Sequence, residues 1–257
     1  MNFWNYINNT LENGSENMEI IKTKDYKELS EYAGKIILEE IKSDKKTLIC
    51  LASGDTPQGA YTYVAEELKG EDLSKYNFIF VGLDEWAGMD KNDKGSCQDY
   101  MQRDLFGKLK LAPGQLVEFN AKSDNLEEEC RKMDEFIKEN GGLDLVILGV
   151  GMNGHLGLNE PGTDFEKYSH VVDLTENTKE VAKKYFDSER KLEQGITLGI
   201  KHFLEARREV LIISGIKKAD IAKKVAEGEV SEEIPATSAK LHKNSCLILD
   251  AESSSKL

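Results

Sequence analysis

Residues 143–162 read Leu-Asp-Leu-Val-Ile-Leu-Gly-Val-Gly-Met-Asn-Gly-His-Leu-Gly-Leu-Asn-Glu-Pro-Gly. An almost wholly apolar run, Leu143 to Gly149, passes directly into a backbone broken by glycines. A short run of that kind is what a strand buried on both faces of a parallel sheet requires. Gly149, Gly151 and Gly154 stand at G-x-G-x-x-G spacing, with Asp173 nineteen residues after the last of them. A dinucleotide fingerprint also needs a helix directly behind its glycines. Here Gly157, Pro161 and Gly162 break the chain where that helix would run. The segment therefore reads as a strand followed by a flexible loop displaying Asn153, His155, Asn159 and Glu160, and not as a nicotinamide-dinucleotide site. A histidine on such a loop is either an acid–base group or a hydrogen-bonded loop residue.

Outward from this strand the chain alternates strand and helix signals with short joints, the pattern of parallel strands linked by crossover helices. Strands are expected near 18–21, 47–52, 78–83, 115–119, 143–149, 170–174, 195–199, 210–214 and 246–250. Helices are expected at 26–42, 57–68, 96–109, 126–139, 176–187 and 218–227. No Pro-rich or Ser-rich linker divides the series. The expected fold is α/β: one Rossmann-like domain over residues 18–257, a mainly parallel sheet with helices on both faces. Residues 1–17 are polar, weakly patterned and read as an extension.

Among 257 residues, 47 acidic side chains face 34 basic ones, a formal charge of −13. Nucleic acid is excluded as an expected partner, because polyanion binding draws on clustered Lys and Arg. The longest apolar stretches are about half of the roughly twenty residues that a membrane span needs, so no membrane association is expected. The first residues carry no basic segment ahead of an apolar run, so the expected location is cytoplasmic. Cys50, Cys97, Cys130 and Cys246 are widely spaced, with no C-x-x-C pair, and are expected as buried thiols. His155, His170, His202 and His242 show no metal-ligand spacing, and no nucleophile elbow or P-loop occurs. Metal-free, cofactor-free acid–base chemistry on a small phosphorylated molecule fits this inventory.

Ligands of open α/β sheets sit beyond the carboxyl ends of the strands. Two further junctions of that kind carry chemistry. Leu51-Ala-Ser-Gly-Asp-Thr-Pro57 turns from a strand into a helix. Ser53, Gly54 and Thr56 can there donate to a phosphate at the helix start, or Asp55 or Thr56 can simply cap that helix. Phe78-Ile-Phe-Val-Gly-Leu-Asp-Glu-Trp86 ends a strand in two carboxylates. Neighbours on extended chain face opposite ways, so at most one of Asp84 and Glu85 enters a given pocket. That carboxylate is either a general base or part of an acidic surface loop.

These three junctions, in this order, resemble the glucosamine-6-phosphate deaminase/isomerase family, whose fold is shared with the 6-phosphogluconolactonases. The most specific part is Gly151-Met-Asn-Gly-His-Leu-Gly-Leu-Asn-Glu-Pro-Gly162; lactonases tend to follow the Gly-His with a Ser-Leu-Phe-Pro type ending. Leu83-Asp-Glu-Trp86 and Gly195-Ile-Thr-Leu-Gly199 resemble the branch described as galactosamine-6-phosphate deaminase/isomerase.

The resemblance implies conversion of a 2-amino-2-deoxyhexose 6-phosphate to a ketose 6-phosphate plus ammonia. It implies that Asp84 is the base acting between C2 and C1 and that His155 opens the sugar ring, with Asn153 and Glu160 orienting it. Ser53, Gly54, Thr56 and Lys218 would bind phosphate, and Lys184 would stand near the family's phosphate-binding arginine. Asn153 departs from the Asp of many members, and Lys184 lacks the fork of an arginine. The stretch from Gly162 to Val171 has one Lys and two acids, too little positive charge to hold an N-acetyl amino-sugar phosphate as effector. The alternatives are a lactonase-like hydrolase and a sugar-phosphate sensor, the latter lacking a helix-turn-helix segment. The oligomeric state is left open between monomer and dimer.

Overall fold

The apolar strands of this chain can be buried only between two layers of helix, and that requirement organises the structure. In chain order the computed structural model, which describes residues 18–174 and 192–257, forms β1 (Glu19–Lys22), α1 (Tyr26–Ile41), β2 (Thr47–Leu51), α2 (Gln58–Glu67), β3 (Phe78–Gly82), β4 (Asp84–Trp86), α3 (Cys97–Asp104), β5 (Leu116–Val117), α4 (Leu126–Glu139), β6 (Leu145–Gly149), β7 (His170–Asp173), β8 (Gln194–Thr197), α5 (Ile200–Glu205), β9 (Glu209–Ile213), α6 (Ala219–Glu227) and β10 (Ser245–Leu249). Seven strands pair in parallel in the order β1-β10-β9-β6-β2-β3-β5. Every residue of β2, β9 and β10 is buried.

Alternate residues of these strands feed two cores. Leu48, Val146, Leu211 and Leu247 face one layer, with Met133 and Ile137 of α4 and Val225 of α6. Ile49, Phe80, Ile147 and Ile212 face the other, with Ile36 and Ile37 of α1 and Met101 of α3. α1 shows how the sequence makes such a helix. Asp25 caps it by accepting the Glu28 N–H at 2.8 Å, and Leu29, Ala33, Ile36, Ile37 and Ile41 form one buried stripe.

The chain runs from β2 to β3 and β5 on one side, then returns to place β6 on the other side of β2. Helix connections diverge there, leaving a crevice at the carboxyl ends of β2 and β6.

Several elements differ from the sequence reading. Residues 170–173 and 194–197 are strands, but they join β4 in a separate antiparallel sheet, β4-β8-β7, instead of extending the main one. β4 itself was expected only as the end of a strand; three residues with two charges carry too short a pattern to read. α5 is a six-residue helix between two strands, likewise too short for a helical period to show. The helix expected over 96–109 stops at Asp104, because Leu105 leaves helical geometry at φ −138° and ψ −65°; Phe106–Lys108 then form a single 3₁₀ turn that needs Gly107, where a side chain would start 2.5 Å from the Gln102 carbonyl. The helix expected at 176–187 and the extension 1–17 lie outside the described residues.

Glu209, at the start of β9, is fully buried, and neither carboxyl oxygen has a partner among the described residues. Burial pushes its pKa up to about 8. An acid whose pKa is higher folded than unfolded favours the fold fully below its ordinary value near 4.5, and that contribution is lost as pH rises toward 8. Thermal unfolding at pH 4, 5.5 and 7 should show the parent losing stability more steeply than Glu209→Gln, the difference between the two growing by about 3 kcal/mol from the acid limit to pH 7, because the other carboxyls titrate in both proteins.

Candidate active site

At the β2 and β6 ends of the crevice, three loops meet. The loop after β6 cannot continue as a helix, so its backbone is satisfied locally: Gly151 N–H donates to the His155 carbonyl, and Gly154 N–H to the Gly151 carbonyl. Leu156 is fully buried and anchors the loop in the core. Gly151 has no side chain because one would start 2.2 Å from the His155 ring. The ring therefore lies flat over bare backbone.

His155 Nδ1 stands 2.7 Å from Asn153 Oδ1, which also accepts the His155 backbone N–H at 3.2 Å. That second bond fixes the amide orientation, so Nδ1 must carry the proton and Nε2 is left as the basic nitrogen. Asn153 Nδ2 in turn donates to Glu160 Oε2 at 2.8 Å. Glu160 Oε1 lies 3.8 Å from Nδ1. Burial pulls the His155 pKa below 6.5, with Glu160 opposing and Lys218 assisting. Asn159, expected among the displayed polar residues, instead turns inward and is fully buried.

Asp84 opens β4 and is opposite Thr197 of β8. Its carboxyl pKa is pushed up to about 7 by burial, with the Cys97 thiol donating to it and so pulling the other way, and the Glu85 charge adding to the rise. Gly157, at φ +58°, packs against it; a side chain there would start 3.1 Å from Asp84 Oδ2 and 3.2 Å from the Thr197 hydroxyl. The loop that carries His155 thus closes onto Asp84. Behind Asp84 a small cavity is lined by Ser53, Gly82, Cys97, Gln98, Met101 and Glu118.

Lys218 stands directly before α6, and Lys218 Nζ donates to the Val150 carbonyl at 2.6 Å and to the Thr56 hydroxyl at 3.2 Å. It therefore joins the loop after β6 to the loop after β2. Burial lowers its pKa, with the Asp55 charge opposing. No side chain caps α2, whose N-cap position is Pro57; the ordinary capping role open to Asp55 or Thr56 is not the one built. Instead the Tyr26 hydroxyl accepts the Gly59 N–H at 2.9 Å and donates toward the carbonyls of Asp55 and Thr56 at 3.1 and 3.0 Å. Within the loop after β2, Thr56 meets Lys218, Ser53 lines the small cavity at Asp84, and Gly54 between them is open.

Of the residues expected from sequence, Asp84, Asn153, His155, Glu160, Ser53, Gly54, Thr56 and Lys218 lie on the loops at the carboxyl end of the sheet. Lys184 lies outside the described residues. Sequence reasoning missed Tyr26, Thr197, Cys97 and Glu118. Only Thr197 had a signal, its place in the glycine-flanked Gly195-Ile-Thr-Leu-Gly199.

The profile of the family described as glucosamine-6-phosphate isomerases/6-phosphogluconolactonase matches residues 23–248. The chain belongs to this family. Glucosamine-6-phosphate deaminase 1 of Bacillus subtilis (strain 168) is 36% identical to it, over 93% of this chain and 99% of the relative. The glucosamine-6-phosphate deaminase of Oceanobacillus iheyensis is 37% identical, over 91% of this chain and 94% of its own. A solved monomeric glucosamine-6-phosphate deaminase superposes with a TM-score of 0.87 at 36% identity, covering 93% of this chain and all of that one. The 6-phosphogluconolactonase of Thermotoga maritima, at a TM-score of 0.70, 19% identity and 91% coverage of this chain, shares the fold.

Asn153 is neutral, so among the described residues Glu160 supplies the negative charge near Nδ1. Asn153→Asp places a second carboxylate against the ring and should raise the His155 titration midpoint from below 6.5 to above it. Ring-nitrogen NMR across pH 5 to 8 reads this directly; a midpoint that stays where it was would show that the side chain at 153 does not set the ring's charge.

Proposed function

We propose that this protein is a deaminating aldose–ketose isomerase that converts an amino-sugar 6-phosphate to the ketose 6-phosphate and ammonia without a cofactor. The observation that carries this reading is the closure of the His155 loop onto Asp84 through Gly157, with Lys218 joining the same loop to Thr56 in the loop after β2. A base for carbon, a base for oxygen and a phosphate seat then share one crevice. The 36% and 37% identity to two glucosamine-6-phosphate deaminases supports the same reaction.

The phosphate binds between Lys218 and the loop after β2, and its binding energy positions the sugar. Lys184 assists from the segment beyond β7. His155 Nε2 takes the C1 hydroxyl proton and returns one to the ring oxygen, which opens the ring; the low pKa keeps the imidazole neutral and ready to accept. Asn153 holds the ring in the Nδ1–H tautomer, and Glu160 stabilises the transient imidazolium. Asp84 removes the C2 proton, giving an enolamine, and delivers a proton to C1. The resulting ketimine at C2 is hydrolysed by water, releasing ammonia and leaving the ketose. With its pKa raised to about 7, Asp84 is a stronger base than an ordinary carboxylate.

One domain over residues 18–257 carries this chemistry, with 1–17 as an extension. The cytoplasm is the proposed location, supported by four unpaired buried cysteines. A monomer is supported by the similar solved deaminase described as monomeric. The configuration at C4 has two readings. The named relatives favour glucosamine 6-phosphate, whereas Trp86 and the Gly195 segment resemble the galactosamine branch. Those two motifs are one unit: Trp86 pairs with Gly195 across β4 and β8, where a side chain at 195 would start 2.3 Å from Leu158 Cδ1.

Ammonia and ketose phosphate measured separately with glucosamine and galactosamine 6-phosphates test the reaction and the epimer together. Asp84→Asn should lower kcat by about 10²- to 10⁴-fold and stop exchange of the C2 proton with deuterated solvent, with binding retained. Ammonia release at the parent rate would remove Asp84 from the mechanism. Lys218→Ala should raise KM for the phosphorylated sugar far more than it lowers kcat.

A further inference from the structure

Glu85, the neighbour of Asp84, is fully buried yet enters no part of the crevice. Strand alternation sends it the other way, into the start of α3. Glu85 Oε1 accepts the N–H groups of Trp86 at 2.8 Å and Cys97 at 3.0 Å, and Oε2 accepts that of Gln98 at 2.9 Å. The Ser96 hydroxyl donates to the Asp90 carbonyl at 2.7 Å. Ser96 takes the Asp99 N–H at 2.9 Å, and Tyr100 N–H reaches the Ser96 carbonyl. All the free donors of the first turn of α3 are thereby accounted for, two of them by a carboxylate from another element. Burial raises the Glu85 pKa above its ordinary value, and the donors gathered at the helix N-terminus pull the other way, favouring the anion.

α3 also carries Cys97, whose thiol donates to Asp84 and contacts the Ser53 hydroxyl. A single buried anion thus fixes the strand that bears Asp84 to the helix that bears its hydrogen-bond donor. We propose that Glu85 is a positioning residue for the reaction, acting through Asp84 by locking β4 to the N-terminus of α3. This inference rests on the deaminase reading above. Glu85 contributes in two ways: it fixes the direction of the Asp84 carboxyl, and its negative charge keeps that carboxyl basic. Among the described residues, the other ionisable or polar groups around Asp84 are Cys50 on β2, Ser53 after it, Tyr61 on α2, Cys97 and Gln98 on α3, Glu118 after β5 and the Thr197 hydroxyl on β8. None of them is a cation that would take over the second role.

Glu85→Gln keeps the size of the side chain, removes the charge and sets an amide NH₂ against backbone donors. Assayed beside the parent, and checked for folding by thermal unfolding, it should lose about 10- to 100-fold in kcat with KM for the sugar phosphate within about twofold. Removing the neighbouring anion makes Asp84 more acidic, so the acid limb of kcat/KM should move to lower pH. A purely structural residue would not move that limb. Glu85→Asp, which keeps the charge but is one methylene short, should lose kcat with the acid limb in place. A folded Glu85→Gln with parent kcat and the parent acid limb would overturn the inference while leaving the deaminase reading intact. Failure of both variants to fold would assign Glu85 to stability alone and overturn it as well. A parent that releases no ammonia from either epimer would overturn both readings.

Discussion

The amide of Asn159, sealed from solvent, donates to the carbonyls of Leu156 and Leu198 at 2.8 and 2.9 Å. A loop with neither helix nor sheet partners must find bonds for its backbone elsewhere, and this side chain supplies them where the loop meets the end of β8. Everything the loop presents depends on that attachment. Gly157 meets Asp84 two residues before the amide, and Glu160 reaches Asn153 one residue after it. Detached from β8, the loop would retain its His155–Asn153 contact, which is local, but not the approach to Asp84, which is not.

The electrostatics of the crevice run against the charge of the whole chain. A molecule with a formal charge of −13 repels a sugar phosphate at long range, but at physiological salt that field decays over about 8 Å. The local arrangement then decides. Lys218 is partly desolvated and lies between two loops, so its charge is felt in a medium less polar than water. The two proposed bases are tuned in opposite directions by the same cause: burial raises the Asp84 pKa and lowers that of His155. Both shifts favour the uncharged form of the group: Asp84 comes to titrate near neutral pH, and His155 stays a neutral imidazole able to accept a proton.

Much of this was legible in the sequence, and the reasons differ by element. β2, β6, β9 and β10 are almost continuous apolar runs, so the parallel sheet followed from pattern alone. The failure of a helix to follow Gly154 separated this loop from a dinucleotide site. What could not be read was the small sheet. β7 and β8 look like any strand, and nothing local tells which sheet they join; that is decided by β4, three residues long. Glu85 shows the limit most clearly. On paper it equals Asp84, a carboxylate at a strand end. Only the return of the chain at Ser96, about ten residues on, puts backbone donors around one and leaves the other facing the crevice. Tyr26 gave no signal, because its partners lie at residues 55 to 59.

That tyrosine bears on how the molecule is assembled. Its hydroxyl ties α1 to the loop after β2, so this half of the proposed phosphate seat is built by residues 26 to 59. Contacts so close in sequence close at small entropic cost and form early. The lysine that completes the seat bonds Thr56 from 162 residues away. An emerging chain therefore shapes the loop of the proposed anion cradle long before it owns the cation, and the two halves meet only when α6 docks.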